Sequence, residues 1–166
     1  MRTLFRNGPG QDGNNADCVA NMVWQQEIDK WDHLNLTSAI LTGPVARRTA
    51  AAQGKEDVHI INYENLVWLI TAYGKSWPYE TVVFDELSKL KAPSSKRFKA
   101  LKRLRPRITQ VIGLTGTPAS NGLMDLWSQA YLLDEGSRLG KTFASFKSRW
   151  FTPDYFGYSW EPKPNA

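Results

Sequence analysis

A single cysteine, Cys18, in 166 residues rules out an internal disulfide framework and any multi-cysteine metal site, and it suits a reducing cytoplasm. The two histidines, His33 and His59, stand alone, with no second histidine or cysteine at ligand spacing, so both are expected to be structural. No apolar run approaches the ~18 residues that a membrane span needs. No charged-then-apolar leader opens the chain, because Met1-Arg-Thr-Leu-Phe-Arg6 gives way at once to turn residues. The expectation is therefore a cytoplasmic protein with no membrane partner. Ser88 and Ser120 lack a histidine and acid that would suggest nucleophilic catalysis, and there is no internal repeat or low-complexity tract.

What is present suits one globular domain: 42% hydrophobic and 22% charged residues, with a formal charge of +5. The charge is unevenly spread. Nine of the 21 basic residues fall between Lys89 and Arg107, where no acidic residue occurs. Such a block either faces a polyanion, with sequence-independent affinity from phosphate contacts, or is a solvated helix face. Within it, Ser94 to Leu104 reads as a helix with Lys96, Lys99 and Arg103 near one stripe and Phe98, Leu101 and Leu104 able to turn inward. Lys96, Arg97, Lys99, Lys102 and Arg103 are the candidate nucleic-acid contacts.

Residues 7–15 carry turn chemistry at nearly every position, so residues 1–16 are expected to form a flexible arm. From Asp17 a helical pattern begins, with Val19, Val23, Trp24, Ile28 and Trp31 on one face and both tryptophans expected in the core. Short apolar runs at 37–41, 58–62, 81–84 and 110–114 read as strands, alternating with helices near 45–53, 63–73, 94–104 and 121–133. That alternation predicts an α/β fold with a parallel sheet, buried on both faces, over residues 17–150. A further helix is expected after Gly140, and an irregular tail over 151–166.

Two strands end in chemistry. Thr81-Val-Val-Phe-Asp85-Glu86 delivers adjacent carboxylates to a strand's carboxyl end, where ligand crevices of open α/β sheets lie. An acid there can hold Mg²⁺ and its neighbour can orient water, although paired acids also occur as plain turn residues. Gln110-Val-Ile-Gly-Leu114 runs into Thr115-Gly-Thr-Pro118, a hydroxyl-rich turn that reaches the same sheet edge if the strands are parallel. Gly116 and Pro118 are also ordinary turn formers.

Together these segments resemble the Walker B motif and motif III of superfamily two helicases. With Lys96-Arg-Phe-Lys-Ala-Leu101, Asn121-Gly-Leu-Met-Asp-Leu-Trp127, Ile61-Asn-Tyr-Glu-Asn-Leu66 and Trp24-Gln-Gln-Glu27, the chain resembles the first RecA-like lobe of phage-type Swi/Snf helicases over most of residues 24–160. The resemblance implies a RecA-like, P-loop NTPase-type sheet and ATP with Mg²⁺ as the family's cofactors. It also implies Asp85 as the Mg²⁺-associated acid, Glu86 as the water-orienting acid, and Thr115, Gly116 and Thr117 as the link between nucleotide and DNA. For a phage-encoded chain the compartment would be the host cytoplasm.

The departures from that pattern shape the expected function. The lysine-bearing phosphate loop, Gly-x-x-x-x-Gly-Lys-Thr/Ser, is expected before Trp24 and is not found there. Gly8-Pro9-Gly10 and Gly13 lack the lysine. Gly74-Lys75-Ser76 and Gly140-Lys141-Thr142 lie too late in the chain and read as coincidence. The resemblance also implies a second lobe that carries an arginine across the cleft. A lobe without Walker A strand and loop is expected to be inactive alone and to leave strand 110–114 as a sheet edge. That edge would invite self-association, strand donation by the N-terminal arm, or a protein partner. The alternatives are a phage regulator or decoy that docks on a host or viral machine, and an ATPase completed by another chain.

Overall fold

The computed structural model describes residues 3–7, 16–156 and 159–164. Packing divides the chain into two compact units, one of residues 1–86 with 106–114 and one of residues 87–105 with 115–166. The sequence suggested a single lobe over 17–150; the division falls within that range.

The first unit is built on a five-stranded, wholly parallel sheet: β1 (Thr3–Asn7), β2 (Ser38–Ile40), β3 (Val58–Asn62), β4 (Thr81–Asp85) and β5 (Gln110–Leu114), in the order β2-β3-β1-β4-β5. The four strands read from the sequence are all present. β1 corrects the expected arm over 1–16, since it is the central strand, with Phe5 opposite Ile60 on one side and Val83 on the other. Its local signal is weak because Leu4 and Phe5 are its only large apolar residues and turn formers follow. Strand formation there depends on ladders supplied by distant neighbours. The expected loop over 8–15 lies outside the described residues.

β3 is buried at every position, and β4 at every position but its last, as a covered parallel sheet requires. β5 differs. Among the described residues it pairs only with β4, and Ile112 and Leu114 are about two-fifths exposed. It is the edge expected of strand 110–114, and its alternating exposure corrects the expectation that every strand is buried on both faces. The N-terminal strand does not cover that edge, because it is inserted between β3 and β4.

Three helices belong to this unit: α1 (Ala16–Lys30), α2 (Val45–Ala52) and α3 (Leu66–Tyr73). α3 starts where the Asn62 side-chain oxygen accepts from the Asn65 amide, and it stops at Gly74, whose φ of +51° few other residues adopt readily. Gly74-Lys75-Ser76 is the 3-10 turn that follows, and its Gly74 carbonyl accepts from Arg107. His59 is fully buried, with Nδ1 2.6 Å from the Tyr79 hydroxyl and Nε2 3.4 Å from Glu56, a structural residue as expected. The Thr37 amide and hydroxyl both donate to Asp57 and hold its carboxyl below the usual carboxylate range. Trp31 was expected in the core, but it follows the last residue of α1 and is half exposed, edge-on to His33. Val23, expected on the same inward face, is likewise exposed.

The second unit holds α4 (Lys96–Leu104), α5 (Leu126–Asp134) and α6 (Phe143–Trp150). Ser95 caps α4 by accepting from the Phe98 amide, and Thr142 caps α6 by accepting from Ser145. Gly140-Lys141-Thr142 is thus the lead-in to a helix. Phe98, Leu101 and Leu104 are buried, as their spacing predicts. The tail is not irregular: β6 (Phe151–Pro153) pairs antiparallel with β7 (Trp160–Pro162). Its three prolines obscured that ribbon in the sequence, yet two-stranded ribbons accept proline at edge positions.

Candidate functional site

The acid pair stands where β4 ends. Val82 and Phe84 anchor the strand in the core, and Asp85 and Glu86 are half-buried at its carboxyl end. Glu86 adopts φ +58°, an uncommon left-handed conformation for a residue with a Cβ. The turn is held from below by Tyr63, itself fully buried, whose hydroxyl shares its proton between the carbonyls of Asp85 (3.0 Å) and Glu86 (3.1 Å). The Trp24 indole N–H, on α1, donates to Asp85 Oδ2 at 3.2 Å.

β4 and β5 run parallel with Asp85 opposite Leu114, so both strands leave the sheet at the same edge. One continues into Glu86 and the other into Thr115. Thr115 Oγ1 accepts from the Thr117 amide at 3.3 Å, and a side chain at Gly116 would meet open space. Downstream, Gln129 Nε2 donates to the carbonyls of Pro118 (2.5 Å) and Asp125 (2.9 Å). Lys91 reaches Ser120 Oγ at 2.7 Å and Asp125 at 3.2 Å. The segment after the threonine turn is therefore tethered to α5 by side chains.

The acid pair offers carboxylate oxygens only, which suits a hard, largely hydrated divalent cation such as Mg²⁺. Among the described residues no group of three or more His, Cys, Asp or Glu could hold a metal ion. Asp85 Oδ1 makes no hydrogen bond among the described residues, which leaves one carboxylate oxygen for a cation. Mg²⁺ is commonly bound in this way, through one or two carboxylates with water and phosphate oxygens completing the octahedron.

On α4, Lys96, Lys99 and Arg103 are exposed on one stripe, while Arg97 and Lys102 are half-buried. Lys102 differs from the sequence reading, because its ammonium lies over the rings of Tyr131 (4.5 Å) and Trp127 (5.2 Å) and donates to the Lys141 carbonyl. Arg105 and Arg107 of the basic block are also engaged with backbone carbonyls. Sequence reasoning missed Tyr63, and it treated Trp24 as core. Tyr63 lies in a segment that carried the resemblance, whereas nothing in the spacing signals a contact between Trp24 and Asp85.

The SNF2-related domain family matches residues 16–154. A protein designated p41, from Acyrthosiphon pisum secondary endosymbiont phage 1, is 41% identical over 140 residues, which cover 80% of this chain and 30% of that protein. The human DNA excision repair protein ERCC-6-like is 30% identical over 139 residues, 79% of this chain and 11% of its own length. Among solved structures, the Sulfolobus solfataricus SWI2/SNF2 ATPase core in complex with dsDNA superposes with a TM-score of 0.70 at 27% identity. That match covers 90% of this chain and 28% of the archaeal one, so the chain spans less than a third of each of these relatives. The likeness bears out the α/β, RecA-like fold expected from the sequence. Among the described residues no helix is long and apolar enough to cross a membrane.

Proposed function

Because the chain belongs to the SNF2-related domain family, we propose that it is the acid-bearing part of a helicase-like motor lobe, contacting DNA phosphates through α4 and not turning over ATP by itself. The observation that supports this reading is the parallel register of β4 and β5, with Asp85 opposite Leu114, so that the strand bearing the acid pair and the strand preceding Thr115 end at the same sheet edge. In this reading Asp85 holds Mg²⁺ through its Oδ1, Glu86 orients water, and Thr115 to Thr117 couple nucleotide to DNA. A bound Mg²⁺ supplies positive charge against polyphosphate oxygens.

The 166 residues contain no lysine-bearing phosphate loop at a strand-to-helix junction. Such a loop supplies an ammonium, a hydroxyl and several backbone donors, each charge-assisted bond contributing about 1.5–3 kcal/mol. Going without about 5 kcal/mol of binding weakens ATP affinity by roughly three to four powers of ten. Phosphate release by the purified chain with Mg-ATP and duplex DNA is therefore expected at background. DNA-stimulated turnover that Glu86→Gln abolishes would overturn the proposal.

Support for DNA contact comes from the exposed stripe of Lys96, Lys99 and Arg103 and from the dsDNA held by the archaeal relative. Each phosphate neutralised adds about −0.9 to the slope of log affinity against log salt. Replacing all three residues with alanine is expected to flatten that slope by about 2–3, whereas Lys102→Ala, which removes a cation already turned onto aromatic rings, leaves it unchanged. Titrations at several salt concentrations check this, and an equal slope for the triple variant and the parent chain would exclude α4 as the contact.

A further inference from the structure

Asp85 is gripped at two points by residues of its own compact unit. Its backbone carbonyl accepts from the buried Tyr63 hydroxyl, and its Oδ2 accepts from the Trp24 indole, 61 positions away in sequence. The helix that carries the indole is tied to the sheet one residue on, where the Gln25 side-chain oxygen accepts from the Ser38 hydroxyl of β2 at 2.5 Å. With the backbone fixed and one oxygen occupied, the carboxylate has little freedom to rotate, and Oδ1 is the oxygen left over. The site is half-buried, so an oriented hydrogen bond there acts against less competition from water.

We propose that Trp24 is a positioning residue for a hydrated divalent cation at Asp85, its indole N–H locking Oδ2 so that Oδ1 is presented to the ion. This rests on the reading of Asp85 as the cation-associated acid. Outer-shell partners of ligating carboxylates typically alter metal affinity by about 10–100-fold when removed. The indole N–H is an uncharged donor, so it neither competes for the cation nor adds charge repulsion.

Mn²⁺ serves as the probe, because its paramagnetism broadens nearby NMR signals even when binding is weak. In the full chain, micromolar Mn²⁺ is expected to broaden the Trp24 indole and Glu86 amide resonances before the other indoles, and Asp85→Asn abolishes that selectivity. Trp24→Phe keeps a ring and removes the donor; the Mn²⁺ concentration that half-broadens the Glu86 amide is expected to rise at least tenfold, with the rest of the spectrum preserved. Should Trp24→Phe perturb folding, a benzothienyl residue at position 24, which exchanges N–H for sulfur at constant shape, gives the same readout. Loss of selective broadening in Asp85→Asn with an unchanged midpoint in both Trp24 variants would refute the role of Trp24 while leaving Asp85 as the ligand. Broadening that survives Asp85→Asn would refute the reading of Asp85 and the inference with it.

Discussion

Trp127→Ala is expected to destabilise the second unit by about 3–5 kcal/mol, the range for deleting a large buried aromatic side chain. Trp127 is 2% exposed, and its ring centroid lies 5.3–5.5 Å from those of Phe98, Tyr131 and Phe143, so it joins α4, α5 and α6 in one cluster. Its Nε1 donates to the Gly140 carbonyl at 2.9 Å, which fixes the turn leading into α6. Alanine removes the ring contacts, empties the centre of the cluster and leaves that carbonyl without its donor. Trp127→Phe keeps most of the packing and loses the donor, at about 1–2 kcal/mol. Denaturant unfolding followed by the circular dichroism of the helices orders the two variants. A loss below about 1 kcal/mol for Trp127→Ala would mean that the cluster repacks and that this tryptophan is not its keystone.

Some parts of the molecule are legible in the sequence and others are not, according to whether a local pattern or a distant contact specifies them. β3 and β4 are legible because Val58, Ile60 and Ile61 in one and Val82 to Phe84 in the other cluster without polar-apolar alternation, the mark of a strand buried on both faces. α4 read correctly in its apolar stripe, since Phe98, Leu101 and Leu104 recur at helical spacing. Its cations did not. Charge in a sequence is a count of groups, whereas availability depends on what each long side chain lies against, and Lys102 lies against Trp127 and Tyr131. β1 was lost because Thr3-Leu-Phe-Arg-Asn7 has little local preference and forms through pairing with residues more than 50 positions away. The acid pair itself was legible from its strand and its resemblance, while the Trp24 and Tyr63 bonds that fix it are tertiary and leave no periodic trace.

Arg105 gives the sharpest separation between a cation that binds a partner and one that builds the fold. It lies in the basic block yet is 8% exposed, with Nε 2.6 Å from the Leu132 carbonyl and Nη2 3.0 Å from that of Leu133. Both carbonyls belong to the last turn of α5, where a helix has no amides left to satisfy its acceptors. The guanidinium fork therefore caps the helix from the side, with the favourable sign of charge for a C-terminus. Nη1 also lies 3.4 Å from Glu135, whose side chain is nearly half exposed, so solvent screens that pair. Arg105→Met preserves bulk and strands two carbonyls, for an expected loss of about 3–5 kcal/mol. Arg105→Lys restores one donor to a geometry that needs two, at about 1.5–3 kcal/mol. Glu135→Gln removes only the screened pair and is expected to change stability by less than about 1 kcal/mol. Unfolding midpoints for the three variants should fall in that order, Met below Lys below Gln, and a Glu135→Gln loss equal to that of Arg105→Met would show that the ion pair, not the helix carbonyls, is what Arg105 stabilises. Under conditions where Arg105→Met stays folded, its DNA salt slope should match the parent chain's, because this arginine's hydrogen bonds are directed inward.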